Sequence, residues 1–345
     1  MAGPMGYRNY RGRTPKWKAA LAVVLVLVIL AAIAVIALQQ RIVYDETGTP
    51  HLPLPWQERA EEPEGLGEVD ITIQTPERQE EIAAFSVPEG PLTQEGWRET
   101  VAEITQTPEH VYNAAAVTVK GSTGSVYFDS GAAVSGSVRI AEDTGAALEE
   151  ITGEESSFYT IARLGCFHDP RAANSDVEGM GLKNTGGYIF YDGNNSQWLD
   201  PGKPAARRYL CSLAKEAAAL GFDEILLTGV SYPTEGKLDK IDYGETPQEE
   251  NLAAFLEEMR AALEPYSAAL SIEVPAEVIA EGGDSAAGLR LAEIAPRVDR
   301  IYAAAPPEQA ETLAAAVAAA GSSAMFVTEL EADSPAFTGN HLLLK

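Results

Sequence analysis

From residue 81 onward the apolar positions follow two periods in turn. Short runs with every second residue apolar alternate with Ala-rich stretches of helical period, the texture of βα units. The runs predict strands at Glu81–Val87, Ala114–Val119, Phe158–Leu164, Asp223–Thr228, Ala269–Val274, Asp299–Ala303, Ala324–Thr328 and His341–Leu344. The stretches between them predict helices at Thr93–Thr105, Gly145–Thr152, Pro204–Leu220, Pro247–Leu263, Ala286–Ala295 and Pro307–Ala320. Pro204, Pro247 and Pro307 stand where a first helical turn tolerates proline, and Gly221 and Gly321 where a left-handed cap suits glycine. Eight strands with helices between them in residues 81–345 fit an α/β fold of the (β/α)8 TIM-like barrel kind. The alternative is an open doubly wound sheet. It would carry a Gly-rich phosphate loop after its first strand, where this chain reads Pro88-Glu89-Gly90-Pro91. The chain stops at Lys345, so a helix closing the eighth unit would be missing.

Upstream, Ala19–Leu38 is an unbroken apolar run, long enough to cross a hydrocarbon core of about 30 Å as a helix. Arg8, Arg11, Arg13, Lys16 and Lys18 precede it with no acid among them. That predicts a cytoplasmic tail at 1–18, a single-pass transmembrane signal anchor at 19–38 in contact with the lipid bilayer, and everything later outside the cell membrane. The alternative is a cleaved signal peptide with Ala32-Ile33-Ala34 as its small-residue site. Residues 39–80 read as an extended stalk, interrupted by Pro50, Pro53, Pro55, Pro63 and Pro76 and charged by Glu58, Glu61, Glu62, Glu64 and Glu68. The formal charge of −26 becomes −31 for residues 39–345, which opposes nucleic-acid binding.

Period two assigns side chains to the two faces of each strand. It points Glu273 inward near the barrel mouth, with Thr118, Lys120 and Thr228. Arg163 lies near the end of the third strand, and Glu329 ends the seventh with its parity open. Glycosidases use two carboxyl groups, about 5–5.5 Å apart for retention and about 6.5–9.5 Å for inversion. Glu273 and Glu329 are the candidate catalytic pair; the alternative is that each pairs with a neighbour such as Arg163 or Lys120. Phe167, Tyr188, Phe190, Tyr191 and Trp198 crowd the long segment 165–203 among Asp192, Asn194, Asn195 and Asp200, a composition suited to stacking on sugar rings. His51, His110, His168 and His341 are scattered, and Cys166 and Cys211 form no metal-binding spacing, so no metal and no cofactor is expected. Whether the two cysteines pair is open.

Several segments resemble a bacterial family of glycoside-hydrolase-like barrels of the DUF4015 type, distantly similar to α-amylase-like barrels. Ile161-Ala-Arg163 running to Phe167-His168-Asp169-Pro170 resembles its third strand. Trp198-Leu-Asp200-Pro201 resembles its Trp-x-Asp-Pro turn. Ala214 to Ile225 resembles the junction into its fourth strand, and Ile294 to Tyr302 its sixth strand. The resemblance implies a polysaccharide or cell-wall glycan as partner. It also implies binding residues at Lys120, Arg163, His168, Asp169, Tyr191, Trp198, Asp200, Ser231, Tyr232 and Tyr302. Two departures stand out. Thr118-Val119-Lys120 replaces an Asp-x-Lys pattern, and Thr228 to Pro233 replaces an Asp-Tyr-x-Arg-Phe-Pro run, so threonines stand where the family carries acids. A hydroxyl cannot act as a carboxylate nucleophile. The sequence therefore favours a degenerate, non-catalytic barrel that binds carbohydrate or cell envelope. The alternative is an active glycoside hydrolase with relocated carboxylates.

Overall fold

The computed structural model describes residues 43–44, 50–51, 81–106, 111–321, 323–332, 334 and 337–345. The chain forms two compact units, Met1–Ile73 and Gln74–Lys345. In the first, Val43–Tyr44 pairs antiparallel with Pro50–His51. The expected anchor at 19–38 and nearly all of the expected stalk lie outside the described residues. Among the described residues no helix is long and apolar enough to cross a membrane.

The second unit is built on a closed barrel of eight strands. They are β1 (Ala83–Ser86), β2 (Ala114–Lys120), β3 (Tyr159–Gly165), β4 (Glu224–Thr228), β5 (Ala269–Glu273), β6 (Arg300–Ala304), β7 (Met325–Leu330) and β8 (His341–Leu343). Neighbours follow chain order all the way round, every pairing is parallel, and β8 closes on β1. The open doubly wound alternative is thereby excluded. Each predicted strand has its counterpart, with ends shifted by two residues at most.

The helices are α1 (Gln94–Thr105), α2 (Thr144–Thr152), α3 (Pro170–Ser175), α4 (Pro204–Ala219), α5 (Gln248–Leu263), α6 (Ala276–Glu281), α7 (Leu291–Ile294) and α8 (Ala310–Ala319). Thr93 caps α1 by accepting from the Gly96 amide, and Pro204 opens α4 at its first turn. The helix expected at Ala286–Ala295 is a correction. Residues 283–284 and 289–290 pair as a small antiparallel ladder, and only Leu291–Ile294 is α-helical. Gly288 turns that ladder at φ +72°, and Asp284 accepts from the Ala286 amide, so the local backbone bonds are already taken up outside a helix. The short helices α3 and α6 have no counterpart in the predicted set.

Strand parity sorts the core into two layers. Val117, Val119, Leu164, Ile225, Leu227, Leu270, Ile272 and Ile301 face outward and are buried beneath the helices. Each such side chain contributes about 1.5–3 kcal/mol relative to exposure. The opposite faces fill the interior with Ala84, Ala114, Ala116, Ile161, Leu226, Tyr302, Val327 and Leu342. Below this plug, at the N-terminal end, a buried ion pair joins Arg300 to Glu224 at 2.6 Å, and the Tyr302 hydroxyl donates to Glu224 at 2.8 Å. Tyr302 is thus committed to the base of the barrel, which corrects its expected place among the binding residues. Cys166 and Cys211 are both buried and unbridged, and burial pushes both thiols up from their ordinary range.

Candidate active site at the barrel mouth

At the C-terminal end of the strands, above the apolar plug, lies a pocket of about 260 Å³. Thr118, Thr228 and Glu273 line it, as strand parity predicts, together with Lys120, Arg163, Glu89, Gly121 and His168.

Arg163 organises the acids. Its Nη2 donates to Glu273 Oε2 at 2.7 Å and lies 3.6 Å from Glu329 Oε1. The structure therefore resolves the parity of Glu329: its side chain faces inward, 3 % exposed, while that of Glu273 is 32 % exposed. Glu329 is absent from the pocket wall and sits against the guanidinium. The two carboxyl oxygens share one nitrogen, which keeps them closer than the spacing of an inverting pair.

Burial, and next the charge of Glu273, push Glu329 up to about 7, against the opposing pull of Arg163. This has a consequence for stability. An acid that folding makes harder to ionise contributes stability below its unfolded value, near 4.5, and loses it as pH rises to about 7. Between pH 4.5 and 8 the native protein should lose roughly 3 kcal/mol more than Glu329→Gln, whose amide has no proton to release. Urea unfolding of both proteins at the two pH values measures the difference. Parallel losses would remove the argument.

A bulge shapes the lysine side of the pocket. The β2–β3 register slips between Thr118 and Lys120, so one extra residue re-aims the lysine. Lys120 Nζ donates to the Gly165 carbonyl at 2.6 Å and lies 3.0 Å from Asp169 Oδ2, with both side chains fully buried. Asp169 also caps α3 by accepting from the Ala172 amide at 2.9 Å. Gly124, at φ +79°, passes so close that a Cβ there would stand 2.0 Å from Asp169 Oδ1. Of the expected binding residues, Lys120 reaches the pocket wall with its ammonium already paired, and Asp169 lies behind it.

The segment 165–203 forms the rim. Asp192 is its hub: Oδ1 accepts from the Asn194 and Ser196 amides and Oδ2 from Trp198 Nε1 at 2.8 Å. These bonds hold Asp192 below the usual carboxylate range despite its desolvation. Trp198 is thereby fixed against the His168 ring, with centroids 4.9 Å apart. The His168 Nε2 meets Ser196 Oγ at 2.7 Å. Desolvation moves His168 below its ordinary value, against the pull of Asp192 and Asp169. Tyr191 is exposed on the same rim.

Three further expected positions fall elsewhere. Tyr232 is fully buried and its hydroxyl accepts from Asn251 Nδ2 at 3.0 Å, so it is a core residue. Asp200 turns the chain by accepting from the Gly202 amide, and burial raises it above the usual carboxylate range. Ser231 is partly exposed and outside the pocket wall. Conversely, Glu89 lines the pocket, and the sequence reading named it only within Pro88-Glu89-Gly90-Pro91, as a stretch unlike a phosphate loop. The available signal was its position just after a strand end, where barrels of this kind place their sites.

A family model, DUF4015, described as "Putative glycosyl hydrolase domain", matches residues 93–312. A hypothetical protein from Ruminiclostridium thermocellum is 26% identical, over 53% of this chain and 96% of that one, with a TM-score of 0.45. The glycoside hydrolase domain of PgaB (BpsB) from Bordetella bronchiseptica is 14% identical, over 76% of this chain and 93% of that one, with a TM-score of 0.51. The latter similarity supports the barrel fold alone. Comparison of the sequence with curated proteins gives no match.

Proposed function

The chain belongs to the DUF4015 glycosyl hydrolase family, and from that premise we propose that its barrel mouth hydrolyses glycosidic bonds in a polysaccharide, using carboxylates relocated from the family's strand positions. One observation carries this reading: Glu273, clamped by Arg163 on the pocket wall, has behind it a second carboxyl that holds a proton up to about pH 7. Neighbouring acids whose environments drive their ionisation apart are the pattern of acid–base chemistry. In this reading Glu273 works on the sugar, and Glu329 shares the Arg163 guanidinium from behind it.

A second reading keeps the barrel as a carbohydrate-binding protein without turnover. It is favoured by Thr118 and Thr228, whose hydroxyls line the mouth where the family resemblance implies acids. A membrane-anchored barrel outside the cell is part of both readings, supported by the apolar run 19–38 and its basic flank.

The test is a glycan array with residues 74–345, a compact unit of their own, read for binding and for released sugar. Hydrolysis predicts release, with a break in the pH–rate profile near 7 that Glu329→Gln removes. Binding with no release establishes the second reading and ends the first.

A further inference from the structure

We propose that Glu89 is the second carboxylate that touches the substrate, donating the proton to the departing sugar oxygen while Glu273 acts from the opposite wall. The inference rests on the hydrolytic reading and deepens it. Glu329 cannot take this part where it stands, because it is almost fully buried against Arg163 and does not line the pocket.

The position of Glu89 follows from the barrel. It sits in the turn after β1, and Glu273 ends β5. In a closed ring of eight strands in chain order, β1 and β5 are four strands apart by either route and so face each other across the mouth. Both line the one pocket of about 260 Å³ between them. Glycoside cleavage uses two carboxyl groups flanking the scissile bond, and this pocket carries one on each side.

The surroundings of Glu89 are built to receive it. A Cβ on Gly121 would stand 2.2 Å from Glu89 Oε1, so the carboxyl rests on bare backbone at the end of β2. Gly121 is itself pressed by Gly165 of the next strand, where a Cβ would lie 3.0 Å from the Gly121 carbonyl. The Tyr127 hydroxyl donates to Glu89 Oε1 at 3.1 Å and fixes its direction. Each acid thus has a different neighbour: Glu273 carries a cation at 2.7 Å, and Glu89 a neutral phenol. Arg163 holds the Glu273 carboxyl in place on the pocket wall, where it can accept a proton from water.

The step balances without any further reactant. The Glu89 carboxyl gives its proton to the glycosidic oxygen as the bond from that oxygen to the anomeric carbon breaks. Water adds to the anomeric carbon and passes a proton to Glu273. Solvent then returns one proton to Glu89 and takes one from Glu273, so the net change is one water consumed and one bond cleaved.

The experiment compares the full chain with its Glu89→Gln, Glu89→Asp and Tyr127→Phe variants. The substrates are phenyl and 2,4-dinitrophenyl glycosides of glucose, galactose, glucosamine and N-acetylglucosamine in both anomers. Dinitrophenolate leaves without a proton, and phenolate needs one. On the sugar that the native protein cleaves, Glu89→Gln should lose at least a hundredfold on the phenyl glycoside and less than tenfold on the dinitrophenyl one. Glu89→Asp should keep part of the rate, and Tyr127→Phe, which removes the bond that fixes the carboxyl's direction, should lose more on the phenyl glycoside than on the dinitrophenyl one. An equal loss on both leaving groups, or no loss, overturns the role of Glu89 and leaves hydrolysis standing. A native protein inert on every glycoside here and on the glycan array overturns both. Unchanged thermal unfolding of Glu89→Gln, an exposed rim residue, shows that the loss is not one of fold.

Discussion

Glu273→Gln is expected to lower sugar release by roughly 10²–10⁴-fold, the range that a positioned acid–base group contributes, while glycan binding changes less than severalfold. The amide keeps the volume and one oxygen to accept from Arg163, so the pocket wall retains its shape. What it loses is the negative charge and the ability to take a proton. The loss reaches the buried neighbour as well. The charge on Glu273 is the second cause, after burial, of the raised ionisation of Glu329. With that charge gone, Arg163 faces Glu329 alone, and Glu329 should ionise at a lower pH than about 7. Two readouts therefore move together in one variant: the rate falls, and the pH-dependent loss of stability that belongs to Glu329 shifts toward acid. Single-turnover assays and urea unfolding at stepped pH measure them. A variant that releases sugar at the native rate removes Glu273 from the chemistry. A fallen rate with an unmoved stability profile would show that the two acids do not share the field of Arg163.

The contrast with Glu329→Gln separates the acids. That variant removes a proton store while leaving the wall of the pocket intact. Its expected signature is a flattened pH–rate profile with a much smaller loss at the optimum, because its carboxyl does not line the pocket.

Strand placement was legible in the sequence because segments such as β4 and β5 alternate between an apolar outer face and a mixed inner one. Ile225 and Leu227 against Leu226 and Thr228 already fix which residues reach the mouth. Glu329 resisted this reading because Val327 is as apolar as the outward Phe326, so alternation alone carries no sign there. Only the closure of β7 between β6 and β8 decides it. Tyr302 misled in a different way. Its Cα shares the inner face, but its hydroxyl is drawn down to Glu224, and no pattern along a single strand encodes which end a long side chain reaches. Glu89 belongs to a turn, where period has no meaning. Its place became visible only once Gly121 and Tyr127, both more than thirty positions later, were set around it in space.

Lys120→Met should cost about 3–5 kcal/mol of stability, the largest single effect expected away from the chemistry. The lysine and Asp169 are both without solvent exposure, and the ammonium is the one cation on Asp169 Oδ2, at 3.0 Å, among the described residues. Methionine fills the stem but leaves a buried carboxylate with no cation beside it, held only by neutral donors such as the Ala172 amide. The penalty is that of an orphaned charge rather than the net worth of the pair, and this makes a second variant informative. Asp169→Asn keeps an oxygen for the cap of α3 and carries no charge, so the double variant Lys120→Met/Asp169→Asn buries no uncompensated ion. It should be more stable than Lys120→Met alone by about 2 kcal/mol or more, although it differs from the native chain at two positions. Denaturant unfolding of the native protein, both single variants and the double variant closes the cycle. Simple additivity of the two losses would show that the lysine serves the Gly165 carbonyl alone, and that the β2 bulge aims it at backbone rather than at charge.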